Sequence, residues 1–367
     1  MTAVHRWLAE PLPREVAQAL ARLAEAPGVR HLAVMPDVHL AEHVCVGTVV
    51  GVVDRLYPQA VGGDIGCGMA VVRIDAPREA LADGAAAARV FAALRERVPA
   101  VRQRAPRDVA LDELSDPALL ARVRRDLRVE LGTLGRGNHF LEVQTDEQEQ
   151  LWLMVHSGSR ALGPAVRDHH VARGAPVGKG LAALAADGAG HDYLRDHDAA
   201  IAFARANRRA IAEAAAAAVH DALGVSFAWS TWHDVVHNFV RRERHAGVDL
   251  WVHRKGASSA YAGEFAVIPG SMGSPSFHVE GRGCTDALCS SSHGAGRRLP
   301  RGEAMRAIAT RDVERQLATV FFERDLAARL RDEAPAAYKD IGAVMRAQRD
   351  LVRIVRRLRP VLGYKGV

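Results

Sequence analysis

Short apolar runs in this chain repeatedly stop on the same kind of residue. His31–Met35 ends at Pro36-Asp37-Val38-His39, and Leu151–Val155 ends on His156-Ser-Gly-Ser-Arg160. Leu250–Val252 leads into His253-Arg254-Lys255-Gly256. The segment Ala60–Met69 has glycine at four of ten positions, carries Asp64 and Cys67, and precedes the run Ala70–Ile74. Apolar runs of this length bounded by glycine and serine read as strands. An imidazole or carboxylate at a buried strand end is costly to desolvate without a partner. Ends of this kind therefore have to gather, so the fold must bring several of them to one rim.

The rest of the chain fills in around that rim. Pro13–Ala26 reads as a helix with Val16, Leu20 and Leu23 on one face, and Val44–Val53 as a β-branched strand. Ala76–Arg128 reads as polar, helical and peripheral, and Val171–Ala189 as a Gly/Ala-rich loop. Asp196–Leu223 is an alanine-rich helix carrying Asn207-Arg208-Arg209, and Trp229–Arg242 bears His233, His237 and Asn238. Ile268–Ser276 is a loop of small residues. The tail Ile341–Leu358 places Val344, Leu351, Val355 and Leu358 at helical spacing, with Arg346, Arg349, Arg353, Arg356 and Arg357 mostly off that face. No repeat of fixed period and no clean linker interrupts the 367 residues, so one catalytic unit spanning 1–367 is expected.

Composition narrows the class. Hydrophobic content of 49% with 25% charged residues is that of a soluble globular protein, and no apolar run reaches membrane-spanning length. Cys45, Cys67, Cys284 and Cys289 are too few and too scattered for a secreted disulfide framework, which points to a reduced cytoplasm. A formal charge of +6 tilts the expectation towards a polyanionic partner.

Two constellations carry chemistry. In Cys289-Ser-Ser-Ser-His293-Gly-Ala-Gly-Arg297, glycines let backbone amides approach an anion, and Arg297 is placed to read phosphate oxygens. An imidazole in that cradle could attack phosphorus and carry a nucleotide covalently. Asp64, Cys67, His139, His156 and His237 all lie in Gly/Ser-rich or strand-end contexts and suit one or two divalent metals. Ligand softness alone names zinc first, with manganese or iron behind. Arg160, Arg254 and the tail arginines are candidates for holding phosphates, although a solvated face is the plainer reading of the tail.

These stretches occur in a fixed order: Met35–His39, Val61–Met69, Gly132–Glu142, His156–Arg160, His237-Asn238, His253–Ala257, Ile268–Gly273, Ser292–Arg297, Tyr338-Lys-Asp and Lys365-Gly366. In this the chain resembles the RtcB family of GTP-dependent RNA-splicing ligases, from about residue 31 to the C-terminus. The resemblance implies an α+β, RtcB-type fold whose strand-end loops converge on a dinuclear metal site. It implies joining of 2′,3′-cyclic phosphate or 3′-phosphate RNA ends to 5′-hydroxyl ends, with GTP and two manganese ions as cofactors. Manganese thus displaces zinc. Asp64, Cys67, His139, His156 and His237 would hold the metals, and His293 would carry GMP. The guanylate would be contacted by Asn138, His139, Phe140, Leu141, Glu142, His237, Asn238, Pro269, Gly270, Ser271, Met272, Ser276, the Gly294-Ala295-Gly296 turn, Tyr338 and Lys365. RNA with these ends is the implied partner, an archease-type activator is a further candidate, and a monomer away from any membrane is expected. Family members often carry glycines where this chain has Leu40-Ala-Glu-His43, which bears on metal choice and substrate access unless those side chains face solvent. The rival readings are a metal-dependent RNA phosphoesterase and a non-catalytic RNA-binding paralogue on the same fold.

Overall fold

Strand formation follows the β-branched runs, and the antiparallel pairing of those strands puts the ligand-bearing ends side by side. The computed structural model describes residues 2–111, 114–178 and 180–366. One sheet has five strands in the order Ala3–Arg6, Val29–His39, Val46–Val52, Val248–Lys255 and Asn238–His245. The other has seven, in the order Phe227–Val236, Gly68–Pro77, Gln150–Ser157, Phe140–Thr145, Val352–Lys365, Ser276–Gly281 and Phe265–Ile268. Every pairing in the larger sheet is antiparallel. Its register opposes Val236 to Gly68, Met69 to His156, His156 to Phe140, and Phe140 to Lys365. Cys67, His139, His156, His237 and Lys365 therefore stand along one rim. The outer strands of this sheet curl towards each other, with the His233 and Phe265 rings stacked at 4.0 Å. His237 is where the chain passes from the larger sheet to the smaller.

Alternation along the strands separates core from site. Leu141, Val143, Leu153 and Val155 face outward into an apolar layer with Val90, Phe91 and Leu94 of the helix Gly84–Arg97. The helix Ala189–Leu223 completes that layer with Ile211, Ala212, Ala215 and Val219; its small alanines let the backbone lie close to the sheet. Gly224 ends this helix in a left-handed turn, its amide on the His220 carbonyl at 2.7 Å. Among the described residues, no helix is long and apolar enough to cross a membrane.

Three expectations change. The Ala76–Arg128 region is not wholly peripheral, because Val90 and Leu94 are fully buried against the sheet. Val171–Ala189 is more than a loop: it holds the end of the helix Leu162–Arg173, short strands at Ala175–Pro176 and Ala182–Ala185, and the first residue of the long helix. The tail is helical only over Ile341–Ala347, and Val352–Lys365 is a strand. Val352, Ile354 and Val355 favour extended backbone, and the ladders to Ser276–Gly281 over the first half of the strand and to Phe140–Thr145 over the second outweigh an apolar spacing that mimics a helix.

Arg254, proposed to hold RNA phosphate, is instead fully buried. Its guanidinium donates to both Glu243 oxygens at 2.6 and 3.0 Å, and also to Ser290 Oγ and the Leu288 carbonyl. Burial pushes the Glu243 carboxyl up, but Arg254, His245 and Tyr261 outweigh it and hold it at about 2. A depressed carboxyl contributes stability that is present above its unfolded value near 4.5 and lost as pH falls towards 2. Glu243→Gln should cost roughly 3–5 kcal/mol at pH 7, since it leaves a buried guanidinium without its counter-charge. Urea unfolding between pH 2 and pH 7 should show the variant and wild type converging towards the acid end; a gap independent of pH would contradict this assignment.

Candidate active site

A cleft of about 390 Å³ opens on the rim described above. At its centre, Cys67 Sγ lies 3.2 Å from His156 Nε2 and 3.5 Å from His139 Nε2. His139 Nε2 is 2.9 Å from Asp64 Oδ2, and His156 Nε2 is 3.4 Å from His237 Nε2. The ligand atoms form two groups, Cys67/His156/His237 and Asp64/Cys67/His139, each within 4.8 Å and sharing the thiol. His156 Nδ1 donates to the Asn138 carbonyl at 3.1 Å, so its Nε2 presents a lone pair to the cluster. His139 Nε2 donates to the Asp64 carboxylate in the metal-free site, and its Nδ1 is buried without a partner.

The charge states fit metal ligation. Burial, reinforced by neighbouring imidazoles, holds His156 and His237 well below the usual histidine range, so both are neutral at pH 7. Burial pushes Asp64 up, but His139, Cys67 and His156 outweigh it and hold it at about 2. Burial and the Asp64 carboxylate push the Cys67 thiol well above its usual range. Lone pairs, a carboxylate and a thiol crowded this closely repel or compete unless cations sit among them. With a thiol shared by both groups, the donor set fits two divalent ions, and uptake of metal would displace the thiol proton.

His293 stands at the edge of the cluster, its ring 4.7 Å from that of His237. It follows the short strand Ser290–Ser292, which pairs with Ala257–Ser259. Gly256 makes the approach possible, because a Cβ there would lie 2.9 Å from His293 Cε1 and 2.3 Å from Val46 Cγ1. His293 Nδ1 donates to Asp37 Oδ2 at 2.7 Å, and Asp37 is fully buried. Lys339 pins this turn by donating to the carbonyls of Pro36 and Val38 at 3.0 and 2.7 Å. An acceptor on Nδ1 leaves the lone pair on Nε2, the arrangement a nucleophilic imidazole needs. Asp37 belonged to a recognised motif, yet sequence reasoning assigned it no role. A carboxylate two residues before a strand-end histidine was the available signal.

The remainder of the cleft lies between the Phe140–Thr145 and Ser276–Gly281 strands and the C-terminal strand. Asn138, Phe140, Glu142, Asn238, Pro269, Gly270, Ser271, Met272, Ser276, the Gly294–Gly296 turn, Tyr338 and Lys365 all line it. Leu141 does not: it points into the core on the opposite face of its strand. Asn238 ties the metal loop to the His293 side, donating to the Asp64 carbonyl at 3.0 Å and accepting from the Gly256 amide at 2.7 Å. Glu333, missed in the sequence, is the charge centre of this end. It pairs with Lys365 and Arg301 and accepts from the Tyr338 hydroxyl at 2.7 Å. Burial pushes Glu333 up, but Lys365 and Arg301 outweigh it and hold it at about 2. Arg297 donates to the Asp332 carbonyl at 2.7 Å and lies 5.0 Å from the Tyr338 ring centre. That differs from the expectation of a guanidinium free to read phosphate. The Leu40–His43 departure faces outward: His43 and Glu42 are exposed, 3.7 Å apart, and neither lines the cleft.

Glu142 is buried beside Gln144, whose Nε2 donates to it at 2.5 Å. Burial pushes its carboxyl up to about 8 despite Gln144 and Lys365. The folded carboxyl thus holds its proton more tightly than the unfolded one, whose value is near 4.5. Its cost is absent below pH 4.5, grows as pH rises, and levels off above 8. Glu142→Gln should therefore raise the unfolding temperature of the ligand-free protein at pH 8.5 and leave it nearly unchanged at pH 4.5. Equal shifts at both values would show that Glu142 is not held protonated by burial.

The family model described as "tRNA-splicing ligase RtcB" matches residues 19–122 and 110–366. The RNA-splicing ligase RtcB of Escherichia coli is 37% identical, over 97% of this chain and 95% of its own length. The tRNA-splicing ligase RtcB of Archaeoglobus fulgidus is 28% identical, over 99% of this chain and 93% of its own length.

Proposed function

Because this chain belongs to the RtcB family, we propose that it is an RNA ligase, acting as one domain over residues 1–367, that joins 2′,3′-cyclic phosphate or 3′-phosphate ends to 5′-hydroxyl ends. GTP is its nucleotide and two manganese ions are its metals. Asp64, Cys67, His139, His156 and His237 are the residues that would hold the metals. Bound there, they would supply Lewis-acid stabilisation of charge on phosphoryl oxygens. The reading rests on one observation above all: a histidine held through Nδ1 by a buried aspartate, beside the metal-ligand cluster.

His293 Nε2 attacks the α-phosphorus of GTP, the N–P bond forms, and pyrophosphate leaves. As the ring acquires positive character, the Asp37 carboxylate stabilises it through Nδ1–H. A 2′,3′-cyclic phosphate is first opened by water, which forms a P–O bond as the P–O2′ bond breaks and leaves a 3′-phosphate; an oxygen of the 3′-phosphate then takes GMP from His293, breaking the N–P bond. The 5′-hydroxyl finally attacks the activated 3′-phosphorus, and GMP departs. Glu142 lines the nucleotide end of the cleft, where the N1–H and N2–H donors of guanine would draw its carboxyl into the ionised form, an acceptor pair that mismatches adenine. The cytoplasm is the proposed compartment and a monomer the proposed state, with an archease-type activator as candidate partner.

Protein incubated with α-labelled GTP and Mn²⁺, without RNA, should acquire label that survives denaturation and alkali but not mild acid, as a phosphoramidate does. His293→Ala should lack the adduct entirely. Asp37→Asn should form it slower by roughly 10²–10⁴-fold, because the amide no longer fixes the reactive tautomer. Label persisting in His293→Ala, or label stable to acid, would place the nucleophile elsewhere.

A further inference from the structure

Asn207 and Arg208 are fully buried polar residues in the middle of the long helix Ala189–Leu223, outside the cleft. Every side-chain hydrogen bond they make among the described residues goes to a segment that bears a candidate metal ligand or leads to one. Arg208 Nη1 donates to the Gly66 carbonyl at 2.7 Å and to the Ser157 carbonyl at 2.8 Å. Gly66 immediately precedes Cys67, and Ser157 immediately follows His156. The other edge of the guanidinium grips Asp234 at 2.6–3.2 Å, three residues before His237.

Asn207 handles the remaining segments. Its Oδ1 accepts from the amides of Gly132 and Thr133 at 2.7 and 3.2 Å, at the start of the loop that carries Asn138 and His139. Its Nδ2 donates to the Thr133 carbonyl, Ser157 Oγ and the Gly158 carbonyl at 3.1, 2.9 and 3.3 Å. Gly158 in turn lies against Asp64: a Cβ there would fall 2.0 Å from Asp64 Oδ1. Two consecutive helix residues thus tie down the surroundings of all five ligands.

The choice of an arginine paired to an aspartate has an electrostatic reason. A lone buried guanidinium next to divalent cations would repel them. Here Asp234 neutralises it, so four of its N–H bonds orient the site without adding net charge to it. A lysine cannot grip a carboxylate and two carbonyls in one plane.

We propose that Asn207 and Arg208 are positioning residues that set the separation of the metal-ligand segments, and so govern affinity for the divalent cations. This rests on the metal reading above, and goes beyond it in placing that control on a helix that touches neither metal nor substrate. Outer groups that orient metal ligands typically change metal affinity 10–100-fold when replaced.

The test uses full-length protein stripped of metal and titrated with Mn²⁺ alone, with bound ion followed by electron paramagnetic resonance. Arg208→Lys and Asn207→Ser are compared with wild type and with Arg209→Ala, an outward-facing neighbour whose guanidinium lies 4.0 Å from the Trp229 ring centre. Each variant is measured on its folded, monodisperse fraction, so that lost protein is not counted as lost affinity. Arg208→Lys and Asn207→Ser should bind Mn²⁺ on the order of 10–100-fold more weakly, and Arg209→Ala should match wild type. Guanylylation in both weakened variants should recover at saturating Mn²⁺ with an unchanged KM for GTP, which a generally loosened structure would not give. Affinities within twofold of wild type, or a raised KM for GTP that Mn²⁺ does not restore, would overturn the inference while leaving the metal reading intact. A wild-type protein that takes up no Mn²⁺ would sink the metal reading, and this inference with it.

Discussion

Five side chains, one of them a thiol, bring their donor atoms together as a site for divalent cations requires. Cys67, His139, His156 and His237 are buried, and their ligand atoms approach one another at 3.2–3.5 Å. In an ordinary core such an arrangement would be destabilising, because lone pairs face each other and the thiol has more than one claimant. Much of the surrounding architecture can be understood as holding that arrangement in place. Antiparallel register lines up the strand ends, the long helix fastens the loops behind them, and Asn238 bridges from the metal loop to the His293 side.

The other end of the cleft is balanced differently. Lys365, Arg297 and Arg301 converge on the Asp332–Glu333 pair, so the cationic side chains there are already partnered. Glu142 remains the carboxyl without a cation in hydrogen-bond reach, and burial keeps it protonated more readily than its neighbours. A pocket with one such group, backed by Phe140 and Met154, favours a flat ligand with hydrogen-bond donors over a bare anion. On the reading proposed above, charge for phosphates would come from the metal end, where His293 stands, and the two ends would divide recognition of a base from chemistry at phosphorus.

Much of this was legible in the sequence because strand ends leave a local mark. A β-branched run stopping on histidine among glycines is visible without knowing what the strand pairs with, and Cys67, His139, His156 and His237, which the fold brings together, stand out in that way. What stayed hidden depends on contacts across long stretches of chain. Asp37 meets His293 across 256 residues, and Glu333 meets Lys365 across 32. Arg208 gives no sign in its helix that it serves Gly66 and Ser157. Arg254 misled for the same reason: its partner Glu243 lies on the neighbouring strand, and nothing local distinguishes a buried arginine from one that greets RNA. The tail misled because apolar residues at helical spacing cannot reveal ladders formed with distant strands.

On the proposed reading, this site joins RNA through a 3′-phosphate rather than a 5′-phosphate. Pairs of oligonucleotides with defined termini, incubated with the protein, GTP and Mn²⁺, test this most directly. Ends bearing 3′-phosphate and 5′-hydroxyl should be joined, with the phosphate from the 3′ end retained in the new linkage, while 3′-hydroxyl and 5′-phosphate ends should stay separate. Joining of the second pair, or release of the 3′-phosphate without joining of the first, would contradict it.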